Sequence, residues 1–232
     1  MPLRFLCKSD KTMESKLVVL SQGPHHVAVF KPHNIFSVGG PGVPRPTLLD
    51  LVRKIFGHSI FPVHRLDRVT AGVTIFARSM FAKHAMDNAF KKRLVKKIYY
   101  AVCEGSPHFT KLTVDEPLKR FDLNPKKSGP LAKQTIDKHG EQAVTHLRVL
   151  QKFGPDFCLI EANPISGRMH QIRCHLAHIG LPIVGDKLYG AKSTCGNQTI
   201  GLCAVFLSMP LPKGERLDID ARDFFDATTY LP

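Results

Sequence analysis

The stretch FPVHRLDRVTAGVTIFARS, residues 61–79, places one acidic residue between two arginines and then continues as an apolar strand. Asp67 lies between Arg65 and Arg68, and the apolar segment follows at 73–77. Opposite charges within a few ångströms favour the ionised form of a carboxyl group. An ionised aspartate in a site that excludes water can act as a nucleophile or as a base. Taken alone, these residues fit a reactive carboxylate and a surface aspartate paired with its neighbours equally well.

The pattern along the whole chain predicts an α+β fold. Strands without a regular strand–helix alternation favour a mixed, largely antiparallel sheet core with flanking helices and loops. Thr47 is the expected cap of a helix over 48–56 that Gly57 ends, and Ser79 caps a second helix with Phe81, Ala85 and Ala89 on one face. The strands are predicted at 26–30, 73–77, 96–105, 144–150, 157–162, 200–207 and 216–219, with an irregular hairpin or insertion over 105–140 and a third helix within 167–179.

The charge balance indicates the kind of partner. Lysine and arginine number 33 against 19 acidic residues, so the net charge is 33 − 19 = +14, and the isoelectric point is near 9.7. A surplus of this size is typical of proteins that bind nucleic acid. With 232 residues, 43% of them hydrophobic, the chain can bury a core as one large domain or as two closely fused lobes.

The cysteines and the hydropathy pattern indicate a cytoplasmic protein. Six cysteines occur without a Cys-x-x-Cys pair, which is typical of reduced thiols in a reducing compartment. No stretch approaches the roughly 18 uncharged apolar residues that a membrane helix requires. Charged residues in the first 14 positions precede any apolar run, an order that does not fit a secretory signal. The expectation is a cytoplasmic protein that does not bind a membrane.

Four segments together resemble one known family. The HRLDR segment, VAVFKP at 27–32, KKIYYAVCEG at 96–105 and NPISGRMHQIRCHLAHIGLPIVGDKLYG at 163–190 occur in the order and spacing of the RluA-type RNA pseudouridine synthases. The resemblance covers roughly residues 25 to 210. It implies the pseudouridine synthase fold with a central RNA-binding cleft, and an enzyme that flips a uridine out of structured ribosomal or transfer RNA and isomerises it.

The resemblance also implies which residues carry the chemistry. Asp67 matches the family's catalytic aspartate, and Tyr99 matches its active-site tyrosine, which would stack on the flipped uracil. Tyr100 alternates to the other face of the strand, so only one of the two tyrosines can face the pocket. Arg173, in HQIR, matches the basic residue that pairs with the catalytic aspartate, and a bidentate contact would fix its orientation.

Further residues are expected to bind the RNA. Arg65 corresponds to the arginine that fills the space of the flipped nucleotide, and Ile172 would form an apolar wall of the pocket. Five cations within 91–97 exceed what a helix end requires and indicate a patch that faces phosphates. The full set of substrate-binding candidates is His64, Arg65, Arg68, Lys91, Lys92, Arg93, Arg168 and Ile172.

No cofactor and no metal are expected. His170, His175 and His178 lie close together, but His170 and His175 do not share a helix face, and no cysteine or carboxylate completes a zinc ligand set. These histidines are expected to orient the Asp67 loop, to contact phosphate or to pack. The glycine-rich loop at 39–42 lacks the Gly-Lys-Ser/Thr that a phosphate loop needs.

Some positions depart from the family pattern. Ala71 replaces a serine, Ser166 replaces a threonine, and Met169 replaces a second threonine, which removes one hydroxyl. We expect residues 1–24 to be a short lead and 25–232 to be one catalytic domain without a separate RNA-binding domain before it, in a monomeric protein. The rival interpretation is a non-catalytic RNA-binding or RNA-folding protein on the same scaffold.

Overall fold

The computed structural model describes residues 17–123, 132–195 and 199–232. The fold is mixed α+β, with a large, mostly antiparallel sheet and three α-helices in that part of the chain, as the sequence predicted. The strands are β1 (Val18–Gln22), β2 (His26–Lys31), β3 (Phe61–Pro62), β4 (Ala71–Ala77), β5 (Lys96–Glu104), β6 (Lys111–Asp115), β7 (Leu118–Asp122), β8 (Ala132–Ile136), β9 (Val144–Phe153), β10 (Phe157–Pro164), β11 (Leu202–Pro210) and β12 (Arg216–Asp220). The helices are α1 (Leu48–Phe56), α2 (Met80–Lys91) and α3 (Gln171–His178).

The chain forms two compact units. Of the described residues, the first unit contains those up to Val95 together with Ser208–Ala221, and the second contains those within Lys96–Leu207 together with Arg222–Pro232. Strand β1 lies inside the segment that was expected to be a short lead, so the regular structure begins earlier than predicted.

In the first unit, helix α1 packs on antiparallel strands and begins and ends at the predicted residues. Thr47 and Asp50 form a capping box, in which the Thr47 side chain accepts from the Asp50 backbone and the Asp50 carboxylate accepts from the Thr47 backbone. Gly57 caps the C-terminal end. Strand β2 pairs with β1 and β4, so that Lys31 lies opposite Gly72. The buried core of this unit consists of Val27, Val29, Ile35, Leu48, Leu49, Leu51, Val52, Ile60 and Phe76.

Helix α2 begins at the predicted cap but buries a different face. The Ser79 side chain accepts from the Ala82 backbone N–H at 3.1 Å, which satisfies one of the donors that a helix start leaves unpaired. Ala82, Met86 and Ala89 are the buried residues, whereas Phe81 is 65% exposed. Of the predicted apolar face, Ala89 is buried as expected, whereas Phe81 and Ala85 are replaced in the core by the residues that follow them, Ala82 and Met86. The Phe81 ring lies beside His25, with ring centroids 6.2 Å apart.

In the second unit, β5, β10, β9 and β6 follow one another as antiparallel neighbours. Tyr99 of β5 lies opposite Ala162 of β10. Strands β7 and β8 form a separate antiparallel pair, which is the hairpin that the sequence predicted between 105 and 140. Helix α3 packs against β8, β9 and β10. None of the helices in the described ranges has the length and hydropathy of a membrane-spanning segment.

Candidate active site

Asp67 lies in the irregular loop between β3 and β4, and the backbone of that loop is fixed by buried side chains of the first unit. Ser37 is buried and makes two hydrogen bonds to Leu66: its Oγ donates to the Leu66 carbonyl at 2.8 Å and accepts from the Leu66 N–H at 3.0 Å. The Thr70 N–H donates to the Asp67 carbonyl at 3.1 Å and closes a turn. The residue before Asp67 and the turn after it are therefore both fixed.

Lys31 binds the backbone of the same loop through its buried ammonium group. Its side chain is fully buried, and its ammonium donates to the carbonyls of Pro32, Ile35 and Arg68 at 3.0, 2.9 and 3.1 Å. A buried ammonium needs such acceptors, because leaving water costs it several kcal/mol. Lys31 therefore ties the end of β2 to the residue after Asp67.

His33 provides a third attachment. Its Nδ1–H donates to the Val69 carbonyl at 2.6 Å. Burial lowers the pKa of His33, the nearby Lys31 charge lowers it further, and the hydrogen bond to Val69 opposes both effects. A neutral imidazole with its proton on Nδ1 can donate this hydrogen bond, so the contact does not require His33 to be charged.

The arginines beside Asp67 are exposed, and His64 is held by the backbone. Arg65 and Arg68 face solvent, and Arg68 Nη1 donates to Asn34 Oδ1 at 3.4 Å. His64 Nε2 accepts from the Ile75 N–H at 2.9 Å, and its ring stacks on Phe90 with centroids 5.3 Å apart. Because Nε2 accepts, the proton of the neutral ring is on Nδ1, and any contact of His64 with phosphate would have to use Nδ1.

Tyr99 lies on β5, and its neighbour Tyr100 faces the other side of the sheet. The Tyr100 ring contacts Phe225 edge-on at 5.5 Å, so it packs under the C-terminal segment of the second unit. Lys97 shares the face of Tyr99 because side chains two residues apart point the same way. Its ammonium donates to the Ser166 carbonyl at 3.2 Å, and burial lowers the pKa of Lys97 to about 8.

Arg173 is buried on α3 and forms an ion pair that the sequence did not predict. Its Nε and Nη2 donate to the two carboxylate oxygens of Asp186 at 2.6 and 2.8 Å. The guanidinium carbon lies 5.1 Å from the centre of the Tyr189 ring. Both partners belong to the segment GDKLYG at 185–190, which the resemblance included without assigning a role. The pairing of Arg173 with Asp67 stays a prediction.

The residues around Arg173 form a hydrogen-bonded layer. Gln171 Nε2 donates to Thr145 Oγ1 at 2.9 Å, and Ser166 Oγ donates to Gln171 Oε1 at 2.8 Å. Ser166, which replaces the family's threonine, therefore makes a hydrogen bond through its hydroxyl. His175 is fully buried between Thr145 Oγ1 at 2.9 Å and the Glu116 carbonyl at 3.1 Å. Burial lowers its pKa. His175 therefore has a structural position in this layer.

The remaining candidates lie at the surface or in the core. Ile172 is buried, and Arg168 forms an ion pair with Glu141 at 3.0 Å. Lys91, Lys92 and Arg93 are exposed at the end of α2, where Arg93 has a positive φ of 57°. Lys97, which the sequence grouped with these cations, is directed to a backbone carbonyl instead.

Within 17–123, 132–195 and 199–232, no group of three or more histidine, cysteine, aspartate or glutamate residues could hold a metal ion. His170 contacts the Tyr189 hydroxyl through Nδ1 at 3.2 Å, and His175 is occupied by Thr145 and Glu116. These two histidines therefore make contacts with protein groups.

The most important residues that sequence reasoning missed are those that hold others in place. Ser37, His33, Asp186 and Tyr189 touch the loop or the arginine from positions distant in sequence. Lys31 was part of the quoted VAVFKP motif, and a lysine inside an otherwise apolar strand was the available signal. For Asp186, the signal was a single carboxylate within an apolar and glycine-rich run after Arg173.

Comparison with solved structures identifies the fold. A human protein described as RNA Pseudouridylate Synthase Domain Containing 1 superimposes with a TM-score of 0.77 over 95% of this chain and 89% of that chain, at 23% identity. Human RNA Pseudouridylate Synthase Domain Containing 4 superimposes with a TM-score of 0.69 over 88% of each chain, at 24% identity. The fold is therefore that of pseudouridylate synthase domains.

The sequence itself identifies the family. Residues 25–178 match the family model described as RNA pseudouridylate synthase, a range that contains Asp67, Tyr99 and Arg173. The chain belongs to this RluA-type family, as its four segments indicated. An uncharacterised RNA pseudouridine synthase of Bacillus subtilis strain 168 is 31% identical over 79% of this chain and 61% of its own length. A protein of Rickettsia conorii named ribosomal large subunit pseudouridine synthase C is 34% identical over 72% of this chain and 54% of its own length.

The chain spans about half to three fifths of the length of these curated relatives.

Proposed function

We propose that this chain converts selected uridines of structured RNA to pseudouridine, with Asp67 as the catalytic group. The observation that carries the proposal is the family match over residues 25–178. The name of the Rickettsia conorii relative specifies the ribosomal large subunit, which makes ribosomal RNA the first substrate to test and transfer RNA the second.

The reaction is an isomerisation and needs no external reagent. The bond between uracil N1 and ribose C1′ breaks, the base turns over, and a bond forms between C5 and C1′. C5 then loses its proton and N1 gains one, so the atoms of substrate and product are the same. The target nucleotide must first leave its stack, which costs a few kcal/mol. No cofactor enters this balance.

Asp67 can serve this reaction in three ways. It can attack C1′ of the ribose, attack the uracil ring, or remove a proton from the ribose. Each role requires an ionised carboxylate whose position is fixed. The contacts of Ser37, Lys31 and His33 with the loop backbone support the fixed position because they hold the backbone on both sides of Asp67. A primary isotope effect with uridine deuterated at the ribose would identify the proton-removal role.

Tyr99, Arg173 and Arg65 have separate roles in the proposal. Tyr99 stacks on the flipped uracil, and its hydroxyl can exchange a proton with the base. Arg173 is the proposed guanidinium partner of the Asp67 carboxylate. Arg65, which is exposed, fills the space that the flipped base leaves, since a planar guanidinium stacks well on bases.

The RNA is held by the remaining candidates, among which the exposed Lys91, Lys92 and Arg93 contact phosphates. We further propose that residues 25–232 act as one catalytic region, as a monomer in the cytoplasm. The five described cysteines are all free thiols, which supports a reducing compartment.

The test is a map of pseudouridine in total RNA from cells with and without the gene. Purified wild type, Asp67→Ala and Asp67→Asn are then added to the deficient RNA. We expect one or a few uridines to lose the modification and only the wild type to restore it. Both variants should retain RNA binding to within about tenfold, since phosphate contacts supply most of the affinity.

Three results would overturn the proposal. Identical maps, together with RNA binding by the purified protein, would favour the non-catalytic RNA-binding protein. Release of free uracil with an abasic site would instead identify a glycosidase, because isomerisation leaves the mass of the RNA unchanged. Turnover by Asp67→Asn would exclude the catalytic role of the carboxylate.

A further inference from the structure

The ion pair between Arg173 and Asp186 is buried. The side chains are 6% and 2% exposed, and both carboxylate oxygens accept from the guanidinium, Oδ2 from Nε at 2.6 Å and Oδ1 from Nη2 at 2.8 Å. A fork-to-fork contact of this kind fixes the plane of the guanidinium as well as its position. The pair is electrically neutral as a whole, so Arg173 is not a bare cation in its site.

Tyr189 holds the same guanidinium from its face. The guanidinium carbon is 5.1 Å from the ring centre, within the range of a cation–π contact. The Tyr189 hydroxyl accepts from the Gln134 N–H of β8 at 2.8 Å and lies 3.2 Å from His170 Nδ1, to which it can donate its proton. The ring is therefore fixed at its hydroxyl end, and Arg173 is restrained at its edge by Asp186 and at its face by Tyr189.

Both restraining residues come from one tight turn. The Tyr189 N–H donates to the Asp186 carbonyl at 3.0 Å, and so does the Ala191 N–H at 3.2 Å. Gly185 precedes the turn with a φ of +82°, and a Cβ there would lie 2.4 Å from the Thr199 carbonyl oxygen. A side chain at 185 would therefore require the backbone to shift.

We propose that Asp186 and Tyr189 are positioning residues that set the direction and the net charge of the Arg173 guanidinium. The inference rests on the proposed function, in which Arg173 pairs with the catalytic carboxylate. Asp186 neutralises Arg173 and accepts hydrogen bonds from Nε and Nη2 of the arginine. In the proposed function, Arg173 therefore acts on the Asp67 carboxylate as a directed hydrogen-bond donor. Both residues lie beyond residues 25–178, the range that matches the family model.

The first test removes the charge of Asp186 and keeps its shape. Asp186→Asn should lower the single-turnover rate of pseudouridine formation about 100-fold in total RNA from the gene-deficient cells, the loss that a misplacement of about 1 Å can cause. Its affinity for the same RNA should stay within about twofold, because the Asp186 side chain is buried. Glu161→Gln is the matched control, since Glu161 also makes a two-pronged contact with an arginine, Arg148, but at the surface. The control should retain the wild-type rate.

A double-mutant cycle separates positioning from general stability. Asp186→Asn should have no further effect on the rate in the Arg173→Ala background, because its effect passes through the arginine. Arg173→Ala leaves a buried carboxylate unpaired, so adding Asp186→Asn should raise the melting temperature while the rate remains at the Arg173→Ala level. A rate loss that is the same in both backgrounds would overturn the inference.

Variants at Tyr189 and the variant Asp186→Glu test the inference even if Asp186→Asn does not fold. Tyr189→Phe keeps the ring but loses the hydroxyl, and Tyr189→Leu loses both. The single-turnover rate should therefore be highest for the wild type, lower for Tyr189→Phe and lowest for Tyr189→Leu. Asp186→Glu restores the charge and should recover part of the rate that Asp186→Asn loses. If wild type forms pseudouridine and these variants match it, the inference fails and the proposed function stands. If wild type forms none, the proposed function fails and the positioning role fails with it.

Discussion

The Ser37 hydroxyl and the Leu66 backbone form a reciprocal pair, in which Oγ donates to the Leu66 carbonyl at 2.8 Å and accepts from the Leu66 N–H at 3.0 Å. Both groups are buried, so neither polar atom of Leu66 can find water if the serine is removed. One short side chain thus satisfies both backbone groups of the residue before Asp67. The position of the candidate catalytic residue depends on a serine 30 positions earlier in the chain.

Ser37→Ala should therefore reduce both stability and activity. An unsatisfied buried donor or acceptor costs about 1–3 kcal/mol, and we expect the free energy of unfolding to fall by about 2 kcal/mol. Urea denaturation followed by circular dichroism measures this change, and the pseudouridine assay should show a lower rate at saturating RNA. Ser59→Ala is the control, because Ser59 is exposed in the same unit. Equal unfolding free energies for the two variants would contradict the role of Ser37.

Lys31→Met tests the second attachment of the loop. Three carbonyls lose their donor, while the removal of a buried ammonium recovers part of its desolvation cost. We expect a net loss of about 2 kcal/mol in the free energy of unfolding and a larger relative loss in turnover, since Arg68 follows Asp67 directly. Hydrogen exchange of the Thr70 N–H, which closes the turn on Asp67, should become faster. Unchanged exchange there would show that Lys31 does not fix the loop.

Local signals in the sequence predicted the parts of the fold that are determined locally. Helix α1 begins after Thr47 and ends before Gly57, as the sequence predicted, because capping groups act within one turn. The buried face of α2 was not predictable from spacing alone. Phe81 is the more apolar residue, yet Met86 is the one that the neighbouring strands bury, and tertiary packing decided between them.

The site shows the same division. The sequence predicted Asp67, Tyr99 and Arg173 as site residues because they lie in contiguous motifs that resemble a family, and these roles stay predictions. It could not indicate that Asp186 pairs with Arg173, since the contact joins α3 to a turn 13 residues later through side-chain geometry. Nor could it indicate that Lys97 is directed at Ser166 and differs from the exposed cations at 91–93, because a run of lysines carries no information on burial.

The exposed cations at the end of α2 should determine part of the salt dependence of RNA binding. Replacing Lys91, Lys92 and Arg93 with alanine removes three candidate phosphate contacts, and the slope of log affinity against log salt should become shallower by about 2. Alanine at Lys111, Lys152 and Lys213 is the charge-matched control, because these lysines are exposed elsewhere on the surface. An identical slope for the wild type and the 91–93 variant would show that these residues do not contact RNA.

Lys97 should make stability depend on pH in the alkaline range. Burial lowers the pKa of Lys97 in the folded protein to about 8, whereas the unfolded chain keeps the ordinary value of 10.5. Between these values the unfolded chain holds a proton that the folded protein lacks, so the free energy of unfolding rises with pH. Below pH 8 both states are protonated, and the full cost of burying the ammonium is present.

The comparison of wild type with Lys97→Met isolates this contribution. The difference in unfolding free energy, wild type minus variant, should rise by about 1–2 kcal/mol from pH 8 to pH 10 and stay level from pH 6 to pH 7. Urea denaturation at each pH measures it. Lys96→Met is the control on the same strand, and its difference from wild type should stay flat because an exposed ammonium is hydrated in both states. A flat difference for Lys97→Met as well would mean that the Lys97 ammonium reaches water, and its position beside Ser166 would then not be a buried one.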